Sequence, residues 1–155
     1  MLKPVSSKTF RAGNAEFAIV ASNYNARYVD AMLRAAKAEL RRARAAAVQV
    51  VRVPGAYEIP VVAARLARRL PKPAAIICLG VILRGKTVHA AHIGDAVSRA
   101  LMEIQLQHEV PVIHEVLLLE NEEQAKVRCL GRKHNRGMEA AQTALAMARV
   151  MASLD

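Results

Sequence analysis

The sequence predicts an α/β fold: a three-layer sandwich in which a four-stranded parallel sheet lies between helices. Three observations carry this expectation. Short apolar runs alternate with longer segments whose apolar residues recur at helical spacing. The connections between them are short, which favours right-handed crossovers. One run, Ala74 to Val81, is apolar on both of its alternating faces, as befits a central parallel strand covered on two sides.

The elements follow in order. Residues 1–13 read as a polar N-terminal arm, and residues 14–155 as a single domain. Glu16 to Ser22 contains the run Phe17-Ala18-Ile19-Val20-Ala21 and reads as the first strand. Ser22-Asn23-Tyr24-Asn25 breaks it with cap-type residues. A helix is expected from Ala26 to Arg44, with Val29, Leu33, Ala36, Leu40 and Ala43 on its apolar face. Val48 to Val53 reads as the second strand, and Pro54-Gly55 as a turn. A helix is expected from Glu58 to Leu70, with Pro60 tolerated in its first turn. Pro71 and Pro73 separate it from the third strand, Ala74 to Val81. A helix from Gly94 to Gln107, a fourth strand from Val112 to Leu118 and a short helix follow. Asn121 should cap that short helix, with Gln124 as its capping-box partner and Gly131 at its end. A last helix is expected from Asn135 to Met151.

In such sheets ligands sit beyond the carboxyl ends of the strands. The segments to inspect are therefore Ser22–Asn25, Pro54–Glu58, Ile82–His89 and Leu119–Glu122.

Composition narrows the class. Hydrophobic residues make up 54% of the 155 residues, which argues against disorder. Aromatics are only 3%, too few for an obvious base-stacking platform. The net charge of +10 suits anionic partners, phosphorylated substrates among them. Two cysteines, Cys78 and Cys129, make no disulfide framework, and Cys78 lies in an apolar run that should be buried. No charged-then-apolar leader opens the chain and no apolar run reaches the ~20 residues needed to span a bilayer, so a cytoplasmic protein is expected.

Gly80 to Thr87 matches the phosphate-loop pattern G-x-x-x-x-G-K-[ST] letter for letter. The match is discounted because Val81, Ile82 and Leu83 continue the apolar strand, and because no strand ends in an aspartate to hold magnesium. What survives is the chemistry: Lys86 and Thr87 are donors beside a glycine, and a phosphate can be held there without a nucleotide. His89 follows, a group able to exchange protons near neutral pH. His92 beside it raises metal binding, but no consistent ligand set surrounds the pair, so no metal is expected. Glu58 either complements a helix dipole or accepts hydrogen bonds from a polyol or amine. Arg128 is either a solvated charge or a bidentate phosphate anchor.

Four spaced motifs occur in order: Val53-Pro54-Gly55-Ala56-Tyr57-Glu58-Ile59-Pro60; Leu79-Gly80 through Arg84-Gly85, Thr87 and His89; Glu120, Glu123-Gln124-Ala125 and Arg128; and Asn135-Arg136-Gly137, Glu139-Ala140-Ala141. With Pro111-Val112 ahead of the fourth strand, they span nearly the whole chain after the arm and resemble the lumazine synthase family.

The resemblance implies a flavodoxin-like fold and a reaction that needs no cofactor or metal. In it, 5-amino-6-(ribitylamino)uracil and 3,4-dihydroxy-2-butanone 4-phosphate give 6,7-dimethyl-8-ribityllumazine, a step of riboflavin synthesis. It implies that Tyr24 stacks on the pyrimidine, that Ala56, Tyr57 and Glu58 hold the ribityl chain and ring, and that the backbone of Val81, Ile82 and Leu83 reads the ring's polar edge. Lys86 and Thr87 match the butanone phosphate site, and His89 matches the proton-transfer residue. His114 and Arg128 match positions supplied by a neighbouring subunit, Arg128 on the phosphate. The implied assembly is a homopentamer, in some members twelve pentamers closed into a sixty-subunit shell, with riboflavin synthase as a possible partner.

Three residues or segments depart from the family pattern. Ala90 and Ala91 stand where an aromatic and an acidic residue usually follow the histidine. His114 stands where phenylalanine is common, and Arg132-Lys133-His134 is more basic than usual. The alanines motivate a second reading, a binding or shell-forming scaffold without catalysis. The basic surface motivates a third, nucleic-acid binding.

Overall fold

The computed structural model describes residues 11–155; residues 1–10, most of the expected arm, lie outside the described residues. The strands are β1 (Glu16–Ser22), β2 (Ala47–Val53), β3 (Ala75–Leu83) and β4 (Val112–Leu119). The helices are α1 (Ala26–Arg42), α2 (Ile59–Ala67), α3 (His89–His108), α4 (Glu122–Cys129) and α5 (Arg136–Ala152). All strand pairs are parallel and the order is β2-β1-β3-β4, giving the flavodoxin-like sandwich expected from the sequence.

The period of two along each strand divides the core. Phe17, Ile19 and Ala21 of β1, with Ile77 and Leu79 of β3, face α1, α4 and α5. Ala18 and Val20, with Ile76 and Cys78, face α2 and α3. Cys78 is fully buried, and burial pushes its thiol up to about 12, so it behaves as a small apolar residue. The contact between α1 and α5 is close enough that Gly137 is required: a Cβ there would lie 2.0 Å from the Met32 carbonyl oxygen.

Element boundaries differ from expectation where local chemistry was hard to read. Helix α1 stops at Arg42, and Arg44 then takes a left-handed φ of 60°. The Arg44 amide donates to the Arg41 carbonyl at 2.9 Å and the Ala45 amide to the Leu40 carbonyl at 3.1 Å, a Schellman closure made without glycine. Residues 56–58 form a 3-10 turn ahead of α2, which ends at Ala67 rather than Leu70. Pro71 disfavours helical geometry at Leu70, which shortens that end. Helix α3 begins at His89, five residues before the expected Gly94. Ala90 is buried there, and alanines propagate a helix readily. Asn121 caps α4 as expected, its Oδ1 accepting from the Gln124 amide at 2.9 Å. Gln124 returns its own carbonyl oxygen to the Glu120 amide at 2.9 Å, one residue earlier than in a standard box.

Glu115 of β4 sits against α5 beside Arg136 and Glu139. Burial first, and then Glu139, push its carboxyl from 4.5 up to about 7, against the pull of Arg136. Between these values the folded state holds a proton that the unfolded state releases. The stability this contributes is complete below pH 4.5 and is lost as pH rises through about 7.

Two outcomes follow from this packing. Gly137→Ala gains about 1 kcal/mol of helix propensity, yet a clash with backbone outweighs it, so denaturant melts should show a net loss of about 2 kcal/mol. Glu115→Gln should flatten the pH dependence, with wild type losing on the order of 1–3 kcal/mol relative to the variant between pH 5 and pH 8. Parallel melting curves for the two proteins across that range would contradict the assignment.

Candidate active site

The strand pairings end unevenly. Pairing of β1 with β3 reaches Ala21 and Leu79, whereas pairing of β3 with β4 continues to Leu83 and Leu119. Strand β3 therefore overhangs β1, and its last residues present an unpaired backbone edge at the switch point of the sheet, between β1 and β3. The overhang also disposes of the phosphate-loop match. Gly80 to Leu83 is strand, in register with Val116 to Leu119, and does not wrap a phosphate.

The turn after β1 covers part of this edge. Asn25 takes a left-handed φ of 59° at the start of α1 and donates from Nδ2 to the Val81 carbonyl at 2.7 Å. The same turn is tied to the end of β2: the Asn23 amide donates to the Val53 carbonyl at 2.8 Å, and the Tyr24 amide to the Pro54 carbonyl at 3.0 Å. The Tyr24 ring then lies over Gly55, where a Cβ would meet its Cδ2 at 2.8 Å. Glu58 folds back so that Oε2 accepts from the Gly55 amide at 2.9 Å. Glu58 therefore closes the 3-10 turn and also lines the cavity.

That cavity has a volume of about 820 Å³. Of the residues singled out in the sequence, Tyr24, Ala56, Tyr57, Glu58, Val81, Ile82, Leu83 and His89 line it. Sequence reasoning missed Ile93 and Ala96 as wall residues, left His92 without a place there, and marked Asn25 and Gly55 only as part of segments to inspect. Helical spacing could have found the residues of α3: with the helix begun at His89, positions 89, 92, 93 and 96 share one face. Tyr24 and Tyr57 are 67% and 65% exposed, so two aromatic rings flank an open mouth.

Four candidates lie elsewhere. Lys86 and Thr87 sit on the exposed connection from β3 to α3 and do not line the cavity of the single chain. Thr87 instead offers Oγ1 to the His89 amide at 3.4 Å, a long contact at the start of α3. A Cβ at Gly85 would meet nothing within 4 Å, so no protein contact demands glycine there. Arg128 is half-buried on α4, which packs on the opposite face of the sheet from α2 and α3.

His114 is exposed on β4, and its ring is fixed on both sides. The Val116 amide donates to Nδ1 at 3.1 Å, so that nitrogen is an acceptor and Nε2 carries the proton toward Ser98 Oγ at 2.8 Å. Partial burial holds its pKa below the ordinary value, against a smaller opposing backbone hydrogen bond.

The protein-family model for 6,7-dimethyl-8-ribityllumazine synthase matches residues 14–152. Relatives bearing that name are similar over most of their length. One from Stenotrophomonas maltophilia (strain R551-3) is 42% identical over 143 residues, covering 91% of this chain and 92% of the relative. One from Xanthomonas campestris pv. campestris (strain B100) is 43% identical with the same coverage, and one from Xanthomonas oryzae pv. oryzae (strain PXO99A) is 42% identical.

Gly55→Ala should displace the exposed Tyr24 ring, the cheapest group to move. The Tyr24 ring resonances should shift in an NMR spectrum while stability changes by less than about 1 kcal/mol, because no core side chain is strained. A larger loss with an unmoved ring would show that the backbone yields instead.

Proposed function

The chain belongs to the 6,7-dimethyl-8-ribityllumazine synthase family, and on that premise we propose how its cavity carries out the family's condensation. It is a transferase of riboflavin biosynthesis that joins 5-amino-6-(D-ribitylamino)uracil to 3,4-dihydroxy-2-butanone 4-phosphate and releases phosphate. The observation that carries the site assignment is the convergence of Tyr24, Ala56–Glu58, Val81–Leu83 and His89 on one cavity at the β1/β3 switch point.

The pyrimidine stacks on Tyr24, which Gly55 allows to lie flat against the turn. The ring's polar edge meets the overhanging backbone of β3. Peptide groups alternate sides along a strand. Since the Val81 carbonyl points toward Asn25, the groups of Val81 and Leu83 face the cavity and those of Ile82 face β4. The ribityl chain runs along Ala56, Tyr57 and Glu58, where a carboxylate accepts hydroxyl hydrogen bonds.

The butanone phosphate sits between Lys86 and Thr87 of one subunit and Arg128 of the next. A cationic clamp there stabilises the charge that develops as phosphate leaves. The amine attacks the ketone, water is lost to form the imine, phosphate is eliminated and the ring closes, with His89 moving protons. Holding two small substrates in register supplies much of the rate, worth ~7–11 kcal/mol when orientation is good.

The positions of His114 and Arg128 outside the single-chain cavity support a site completed by a neighbouring subunit. So does the exposed apolar surface. Val88, Met102 and Leu106 on and beside α3 are 70%, 53% and 70% exposed, and α3 packs against β4, which is an edge strand among the described residues. Such a surface beside an unpaired strand edge calls for cover. The assembly is a homopentamer, and the short α4–α5 connection, without an insertion, leans toward closure into a sixty-subunit shell. Riboflavin synthase is then a possible partner as the consumer of the product. Residues 14–155 act as one domain, and the two unpaired buried thiols suit a cytoplasmic location.

Mixing the purified protein with both substrates should produce lumazine fluorescence well above the spontaneous rate, and light scattering should return a multiple of five chains. Arg128→Ala should weaken the phosphate-bearing substrate by about 2–3 kcal/mol, the worth of a charge-assisted hydrogen-bonded pair, with little change toward the uracil. Equal titration curves for variant and wild type would remove Arg128 from the phosphate site.

A further inference from the structure

We propose that His92 is a second proton-transfer residue of this site, working in the opposite sense to His89 on the same reacting carbon–nitrogen centre. The inference rests on the lumazine synthase reading and concerns what this particular chain does without an acidic residue after its histidine. His89 and His92 both line the cavity, three residues apart in the first turns of α3. That spacing puts two side chains on one helix face, about 5–6 Å apart at Cβ. Their neighbours on the wall from the same helix, Ile93 and Ala96, carry no titratable group.

Neither imidazole is committed elsewhere. Among the described residues, neither ring hydrogen bonds or ion pairs with another side chain; the polar contacts recorded for His89 and His92 are through their backbone amides. The carboxylate on the cavity wall belongs to Glu58, and its Oε2 is held by the Gly55 amide. The other titratable groups on the cavity wall are Tyr24 and Tyr57; nearby in the chain but outside the wall are Lys86 on the preceding loop and Asp95 three residues after His92. Ala90 is buried and Ala91 half-buried, and neither can orient His89. Among the described residues, no group of three metal-capable side chains includes the pair.

The chemistry gives a second imidazole something to do. In forming the imine, the carbinolamine C–O bond breaks and the departing hydroxyl takes a proton, leaving as water. The nitrogen lone pair forms the C=N bond, and the proton on nitrogen must pass to a base. One imidazolium supplies the first proton and one neutral imidazole accepts the second, so the protein's net charge is unchanged by the step. A lone histidine, left neutral once it has donated, has to reach the leaving hydroxyl and then the nitrogen proton in turn. Two on one wall complete them together.

The test compares kcat and KM across pH for wild type, His92→Gln, His89→Gln and the double variant, with lumazine formation followed by fluorescence. His92→Gln should lower kcat on the order of ten-fold, below the ~10²–10⁴ of a sole acid–base group because His89 covers part of the loss. It should also remove one limb of the kcat profile, with KM changed by less than about two-fold. The double variant should fall further than either single one. Because His92 is exposed, the substitution leaves folding intact, and unchanged assembly mass confirms this for each variant; His92→Asn serves as a second substitution. Wild-type kcat and profile in both His92 variants would overturn the proposal, and so would an effect confined to KM, which would make His92 only a wall residue. A wild type without activity would overturn the parent reading and this one with it, whereas an active wild type with an indifferent His92 overturns this one alone.

Discussion

The site depends on β3 being longer than the pairing offered to it by β1. The β1–β3 ladder ends at Leu79, and the β3–β4 ladder carries the strand on to Leu83. A backbone edge left unpaired in a partly buried place must find partners. One is supplied within the chain by Asn25, whose left-handed turn brings its amide to the Val81 carbonyl. The remaining groups face a cavity, and in the proposed function a planar heterocycle with donors and acceptors along its rim satisfies them as a further strand would.

The other walls are arranged around that edge. The turn after β1 is fastened to the end of β2 through Val53 and Pro54, which ties Tyr24 to the segment that leads into the Ala56–Glu58 turn. Gly55 is needed because the ring lies where a side chain would be. On the opposite wall α3 starts at His89 and delivers one face of its first turns. The three walls thus hang on β1, β2 and β3, and the fold places them at the switch point without any long loop.

Among the described residues, no lysine or arginine lines the cavity to hold the proposed phosphate. Lys86 and Thr87 stand outside it, and Arg128 lies across the sheet. A surplus of ten positive charges does not by itself collect cations at one point. In the proposed assembly, Arg128 of one chain would stand beside Lys86 of the next, and the apolar surface of α3 would be covered. Catalysis and assembly therefore share one physical cause in the proposed pentamer.

The strands were legible in the sequence, because the unbroken apolar runs of β1 and β3 are local properties of the chain. The Asn121 cap was legible for the same reason, whereas Asn135, read as the first residue of the last helix, caps it instead. The ends of α1 and α3 were not. Arg44 adopts a conformation that the sequence signals only through glycine, and the histidines at the start of α3 resemble a loop until tertiary packing buries Ala90. Motif spacing named most of the cavity wall. It could not show that Asn25 is spent on Val81, that His92 shares the wall with His89, or that Lys86 and Arg128 stand apart. Those facts depend on where strands end relative to one another and on which side of the sheet a helix lies. Sequence alone determined the chemistry available to this protein, because residue type and local periodicity are written residue by residue. The tertiary structure decided which groups meet, because the stagger between β1 and β3 arises from pairings between segments more than fifty residues apart.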